Sequence, residues 1–467
     1  MSVERISTAV AVAEPPAIPV PITPPDWNNR RLFSLLWPLI VEQLLVVAMG
    51  IIDMVMVSSA GEHAVSGVSL VDTVNFLFIT AFNALATGGS VVASQYIGRK
   101  DGKNACSSAR QLVYVSITIS LVLTVFTMTL CGHVLRLIYG NIAADVMQSA
   151  QTYFFISAIS YPFLALYTSG SALFRSMGNS KITMRTAVLM NVIKVAGNAL
   201  FIYGMGLGVA GAALSTVIGR IFAAFTLLYL LMGNRQQTLN LKGLTKIKLE
   251  PAMIKRILNI GIPSGLETSM FQVGKILVTR IFTTFGTVAI AANAVASTIN
   301  SMAFMPGSGF GMGLLIIAGQ CIGAGDYAGV KRYTKKILIM ANITYIIINL
   351  NILIFMNPII NIFNLSPEAH QLCVTFLRIH CVTSTLFWCF SFVLPNSLKA
   401  AGDVRYVMIV AVSTMWFVRV CSAFIMAFPL GLGPMAVYLA MGADFLCRGI
   451  FFGARWVRGR WMEKRVI

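Results

Sequence analysis

Several ionisable residues stand where charge is least comfortable, inside long apolar stretches. Asp53 lies in the run Gly50-Ile51-Ile52-Asp53-Met54-Val55-Met56-Val57, and Glu42, Asp72, Glu267 and Asp444 are acids in similar settings. Lys194, Arg220, Lys275, Arg280, Arg378, Arg419 and Arg448 are the corresponding cations. A charge in apolar surroundings is costly unless it faces a water-filled cavity or an opposite charge. The chemistry open to such residues is proton exchange, binding of a counter-charged solute, or structural ion pairing. Other chemistries lack their residues. No H-E-x-x-H and no G-x-x-x-x-G-K-[ST] occurs, so neither zinc hydrolysis nor a nucleotide-driven pump has its motif. The 8 cysteines form no C-x-x-C pair and sit mostly in apolar segments (Cys131, Cys381, Cys389, Cys421, Cys447), where they read as small buried hydrophobes. His63, His133, His370 and His380 are the histidines; with no His, Asp or Ser cluster near one face, a membrane-embedded enzyme is disfavoured.

The elements that carry these charges are membrane spans. The chain has 467 residues, 57% hydrophobic and 11% charged, with a mean hydropathy of +0.80. Soluble domains carry about 25% charge, and apolar runs of the roughly 20 residues needed to cross a bilayer recur throughout. They fall at 32–58, 66–92, 108–131, 149–173, 183–204, 208–232, 255–283, 287–318, 337–356, 370–394, 405–428 and 432–454, predicting an all-α integral membrane protein of twelve transmembrane helices. The net charge of +19 does not signal nucleic acid, because the cations form short clusters between spans instead of one patch. Nearly all fall on alternate connections, from Arg30 and Arg31 through Lys331, Arg332, Lys335 and Lys336 to Arg455, Arg458 and Arg460; Arg136 stands alone on the opposite set. The positive-inside rule then places both termini in the cytoplasm. Residues 1–31, with Glu14-Pro15-Pro16 and Pro24-Pro25, lack the pattern of a signal peptide and read as a flexible cytoplasmic tail. Residues 455–467 read as a basic cytoplasmic C-terminus.

Shifted by 225 residues, the sequence matches itself without gaps. The identities are mostly special residue types: Pro38/Pro263, Glu42/Glu267, Gly61/Gly286, Asn75/Asn300, Gly88/Gly313, Gln95/Gln320, Gly98/Gly323 and Asp101/Asp326, with Lys194/Arg419, Gly206/Gly431 and Gly208/Gly433 further on. The chain thus divides into an N-lobe (32–232), a cytoplasmic linker (233–254) and a C-lobe (255–454). Six spans per half is an even number, so the symmetry axis runs along the membrane normal, and two pseudo-symmetric six-helix lobes around a central cavity suit alternating access.

Several motifs resemble the multidrug and toxic compound extrusion (MATE) family of cation-coupled antiporters. They are the Asp53 run, Ser94-Gln95-Tyr96-Ile97-Gly98 with its echo Gly319-Gln320-Cys321-Ile322-Gly323, Gly206-Leu207-Gly208-Val209-Ala210-Gly211-Ala212-Ala213, and Ile290-Ala291-Ala292-Asn293-Ala294-Val295-Ala296. The resemblance covers roughly 30–457. The third motif also satisfies the dinucleotide pattern G-x-G-x-x-G, which needs a preceding strand; between two membrane spans it reads as a tight helix–helix turn.

The resemblance implies a proton-coupled antiporter for drugs or toxic organic compounds in a bacterial plasma membrane, a monomer needing no cofactor beyond its coupling ion. The rival readings are Na⁺ coupling and a flippase for a lipid-linked precursor. In relatives, an Asp of span 1 binds the coupling cation with polar residues of spans 5 and 6; Asp53 and Thr216 match, while a family Asn is Lys194 here and a family Asp is Asn198. An ammonium in that shell competes with Na⁺, so an Asp53–Lys194 pair that protonation breaks favours H⁺; the competing reading is a permanent structural pair. Glu42 lies three helical turns, about 16 Å, from Asp53 on one face. Glu42, Glu267, Lys275 and Arg419 are candidates for substrate or coupling in the central cavity, the alternative for either Glu being a pair with Lys275, Arg280 or Arg419. Basic residues in the second lobe (Lys275, Arg280, Arg378, Arg419) widen the expected substrates from organic cations to zwitterions or anions. Phe76, Phe78, Phe82, Met302, Phe304, Met305 and Trp388 are candidate cavity lining. Asp444 and Arg448, four apart, read as a structural pair. Pro306 with Gly307, Gly309, Gly311 and Gly313 predicts a bent, closely packed span 8.

Overall fold

A computed structural model describes residues 26–140, 142–233, 238–241, 243–244 and 248–467. The description therefore leaves out most of the predicted tail and part of the linker. Among the described residues, ten helices are long and apolar enough to cross a membrane: α1 (Asn29–Ser58), α2 (Glu62–Gly98), α3 (Gly102–Tyr139), α5 (Ser180–Gly204), α6 (Gly208–Gly233), α8 (Gly286–Gly323), α9 (Tyr327–Ile354), α10 (Pro367–Ala400), α11 (Val404–Ala427) and α12 (Met435–Val457). The fourth rod, α4, is Ala144–Ile159 continued past a break at Ser160 by Tyr161–Ser176, and the seventh, α7, is Pro251–Thr283, where Lys255, Arg256, Glu267, Lys275 and Arg280 dilute the apolar run. Each expected span maps onto one rod, most of them longer than the apolar core alone because polar residues continue the helix toward the ends that carry the Lys and Arg clusters, here called the basic end.

The repeat is a structural one. Adding 225 to the starts of α1–α6 lands within three residues of the starts of α7–α12. Its invariant residues have physical roles. Gly61 and Gly286 turn the chain with φ of 101° and 86°, and Gly206 and Gly431 do so with 67° and 66°, a region that costs a side chain dearly. The Gly206–Gly211 motif is thus a helix–helix turn. Asp101 and Asp326 cap α3 and α9, accepting hydrogen bonds from the Asn104 and Gly329 amides.

Close cross-lobe packing gathers at the basic end. A Cβ on Gly98 would lie 1.9 Å from the Gln320 carbonyl oxygen, and one on Gly323 would lie 1.9 Å from that of Gln95. The two glutamines complete the clasp: Gln95 donates to the Ala400 carbonyl and Gln320 to the Ser176 carbonyl, each at 2.7 Å. Gly88 meets the Ile257 carbonyl of α7. On α8, Gly309 and Gly313 face Ile40 and Leu36 of α1, while Gly307 and Gly311 face Trp388 and Asn396 of α10. The glycine run therefore builds two small-residue stripes on opposite sides of one helix, the close packing expected of it.

Aromatic residues flanking the first and last helices pack against the bundle. Trp27, assigned to the tail, is 1% exposed, donates its backbone N–H to the Tyr333 hydroxyl, and lies under the Arg31 guanidinium. Beyond α12, Trp461 is fully buried and stacks on Trp456. Aromatic surface, absent from a charge-based reading, secures the chain just before α1 and just after α12. The linker is tied to α3, where Gln111 and Tyr114 donate to the Lys248 and Leu244 carbonyls.

Replacing Gly98 with Ala gains helix propensity of about 1 kcal/mol, but the methyl meets a backbone oxygen that cannot swing away. Gly98→Ala is therefore expected to destabilise the protein by about 1–3 kcal/mol in thermal unfolding in detergent. Gly453→Ala, in α12 with nothing within 4 Å of the new Cβ, should leave stability unchanged or raise it.

Candidate functional site

The N-lobe encloses a cavity of about 390 Å³ between α1, α2, α4, α5 and α6. Small residues make the local geometry: a Cβ on Gly197 would meet Ser215 at 2.8 Å, and one on Gly219 would meet the Met190 carbonyl at 3.2 Å, so α5 and α6 lie almost backbone to backbone. Asp53 projects from α1 toward that pair. Its Oδ2 accepts a hydrogen bond from Lys194 Nζ, and its Oδ1 accepts one from Asn198 Nδ2 at 3.0 Å. Asn198 is held in turn by the Ser215 hydroxyl, which donates to its Oδ1. Immediately after Asn198 the backbone widens into a π-helical stretch, Ala199–Gly204, a distortion common at functional positions. Thr216 lines the cavity, but its hydroxyl donates to the Ala212 carbonyl of its own helix at 3.0 Å, apart from the Asp53 cluster.

Two charges noted in the sequence without a role complete the wall. Asp72 faces the cavity, with Asn75 and Tyr153 as hydrogen-bonding neighbours and Lys194 and Arg220 as the cations acting on it. Arg220 donates to Ser160 Oγ at 2.6 Å, at the break in α4. Two acids and two cations thus balance in this cavity. Ser215 is a member of this cluster that sequence reasoning does not reach, since one serine in a small-residue helix carries no signal until α5 is packed against it.

The C-lobe holds a second cavity, about 250 Å³, built from the symmetry-equivalent positions. Arg419 stands where Lys194 does, Asn300 where Asn75 does, and Lys275, Val278 and Ser297 take the places of Gly50, Asp53 and Asp72. Phe271, Phe304, Trp388 and Phe445 line it. Of the expected aromatic and Met lining, Phe304 and Trp388 fall here and Phe76 in the N-lobe cavity, whereas Phe82 is buried in the core and Met302 is exposed.

Asp53 and Lys194 line one lobe's cavity and Lys275 and Arg419 the other's, and neither Glu42 nor Glu267 is among the residues lining either. One expectation is corrected: the glutamates do not pair with Lys275, Arg280 or Arg419. Arg175 Nη1 lies 3.3 Å from Glu42 Oε1, with Thr183 donating to Oε2 at 3.0 Å, and Lys399 Nζ lies 2.8 Å from Glu267 Oε2. Both partners come from the basic ends of α4 and α10, again near-equivalent positions, and both pairs read as structural. Arg280 and Arg378 are exposed outside the second cavity. The Asp444–Arg448 pair forms as expected at 2.8 Å.

The MatE family profile matches the chain twice, over 38–200 and 263–425, and the two matches are again 225 residues apart. Among similar curated proteins, the "Uncharacterized transporter YisQ" of Bacillus subtilis is 27% identical over 94% of this chain and 96% of its own length. The "Probable multidrug resistance protein NorM" of Thermotoga maritima is 24% identical over 94% of each. A solved structure of a multidrug resistance MATE family transporter in an outward-facing conformation superposes with a TM-score of 0.86, covering 92% of this chain and 95% of that one at 19% identity.

Asp444 is fully buried between Arg448 and Arg419, the latter at 4.0 Å. Asp444→Asn leaves both guanidiniums without a carboxylate, and thermal unfolding should register a loss of about 3–5 kcal/mol.

Proposed function

Because this chain belongs to the MatE family, we propose that it is a secondary active antiporter that exports organic cations across a bacterial plasma membrane in exchange for protons. The observation that carries the reading is Asp53, held at the wall of the N-lobe cavity by Lys194 and Asn198. Relatives named as multidrug resistance and multidrug export proteins support small-molecule export, and the chain is read as a monomer.

Charge balance suggests how exchange is enforced. With Asp53 and Asp72 ionised, the cavity's two acids offset Lys194 and Arg220, and a cationic solute meets carboxylates it can pair with. A proton taken up by Asp53 removes one negative charge, leaves Lys194 without its partner, and makes the cavity net positive. Solute and proton therefore oppose one another at the same carboxylate, and the cavity holds one or the other. The break also loosens α1 from α5 at the cavity, while Ser180 and Thr183 still hold the two helices together nearer the basic end through the Leu35 carbonyl and Glu42. A switch of this kind is a local charge change biasing a packed element between two arrangements. Lys194 argues against Na⁺, because its ammonium fills the place beside Asp53 that a metal cation needs.

The Lys and Arg clusters support a cytoplasmic basic end. The clasp through Gly98 and Gly323 is then a cytoplasmic closure, and the conformation described is the outward-facing one.

Inverted vesicles carrying the wild-type chain, given an imposed proton gradient and no sodium, should accumulate a fluorescent organic cation, and Asp53→Asn should abolish this. Accumulation driven by sodium in place of protons would reject the coupling ion. No accumulation under either gradient would reject cation export.

A further inference from the structure

The two cavities are the same construction with different charge. At equivalent positions the N-lobe cavity has Asp53 and Asp72, and the C-lobe cavity has Val278 and Ser297. The cation is kept, Lys194 becoming Arg419, and a second is added where Gly50 becomes Lys275. Compensation for these cations is incomplete. Among the described residues the one carboxylate nearby is Asp444, whose Oδ1 accepts from Arg448 Nε at 2.8 Å and whose Oδ2 accepts no hydrogen bond and reaches Arg419 only at 4.0 Å. Arg419 is 7% exposed, and its Nε has no acceptor among the described residues. It lies in a π-helical stretch, Thr414–Val420, that departs from the regular turn of α11. The Lys275 ammonium, on α7, has no hydrogen-bonding or ion-pair partner among the described residues and opens into the same cavity.

A buried guanidinium with an unused donor is costly, and a carboxylate answers it best, accepting from the planar fork with charge assistance. Much of the rest of the wall is aromatic. Phe304 and Trp388 stack at 5.6 Å with nearly parallel rings, and Phe271 lies beneath Arg419 at 5.8 Å. Ser297 and Asn293 add hydrogen-bonding groups, tied to each other and to Tyr438. Rigid rings around a few convergent polar groups form the usual arrangement of a small-molecule site. About 250 Å³ suits a compact planar ligand.

We propose that the C-lobe cavity is a binding site for an aromatic carboxylate, its anion held between Lys275 and Arg419 and its ring against Phe271, Phe304 and Trp388. This deepens the transport reading by adding a second substrate class in the other lobe, but it is a statement about binding and is tested without transport. Failure of cation export in vesicles leaves it standing, and its own failure leaves Asp53 coupling standing.

The test uses the full chain in lipid nanodiscs and isothermal titration with two isosteric probes, 1-naphthoate and the neutral 1-naphthalenemethanol. Wild type should bind naphthoate at least tenfold more tightly than the alcohol. Lys275→Gln should remove most of that preference with little change for the alcohol, and Lys275→Arg should restore it. Arg419→Gln should act likewise; because Arg419 is buried beside Asp444 and its loss can unfold the lobe, the Lys275 variants decide the matter. Equal binding of the two probes by wild type, or an undiminished preference in Lys275→Gln, would overturn the proposal.

Discussion

The structure depends on two glycines and two glutamines at one end of the molecule. Within a bilayer, lipid tails are as apolar as leucine, so helices associate through close packing and hydrogen bonds in place of water exclusion. Gly98 and Gly323 let α2 and α8 approach until a carbonyl of one occupies the space of a missing side chain on the other. Gln95 and Gln320 then take the last carbonyls of α10 and α4, groups a helix end leaves without partners. Each lobe is thereby completed by the other at the basic end, and the tightest contacts of α1 with α8 and of α2 with α7 lie in the same halves of those helices. The remaining halves are left to enclose the cavities, and a polar wall is tolerated at membrane depth where it borders such a space.

Much of this was legible in the sequence because its signals are local or periodic. Apolar run length set the spans, alternation of Lys and Arg marked one end of the bundle as basic, and a fixed offset of 225 gave the twofold plan. The Asp53–Lys194 contact could be anticipated because an acid and an ammonium at family site positions leave few other ways to settle both charges. The partners of Glu42 and Glu267 could not. Arg175 and Lys399 sit at helix ends beside loops, where a cation reads as a topology marker, and only the folding back of α4 and α10 turns them inward. Ser215 and Thr216 illustrate the same limit. Adjacent hydroxyls point in different directions, and the one without the family match is the one that supports Asn198.

The separation into two cavities was hidden for a related reason. Identity between symmetry-equivalent positions marks mostly the scaffold: turns, caps, the clasp and the glycine contacts. The cavity walls, Asn75 and Asn300 apart, differ between the halves. Asp53 against Val278, Asp72 against Ser297 and Gly50 against Lys275 are unremarkable one at a time, and they acquire meaning once both members of each pair are seen to line corresponding walls.

The clasp has the form of an isologous interface. Gly98 meets Gln320 while Gly323 meets Gln95, so residue i touches j′ and j touches i′, as in a twofold homodimer. The protein is in effect such a dimer written as one polypeptide. Joining the halves replaces a concentration-dependent association with an intramolecular one at high effective concentration. It also removes the requirement that both protomers share one sequence, so a substitution at one position need not be accepted twice. A homodimer must carry the same charges in both of its cavities; a fused one is free to balance them in one and leave cations in excess in the other.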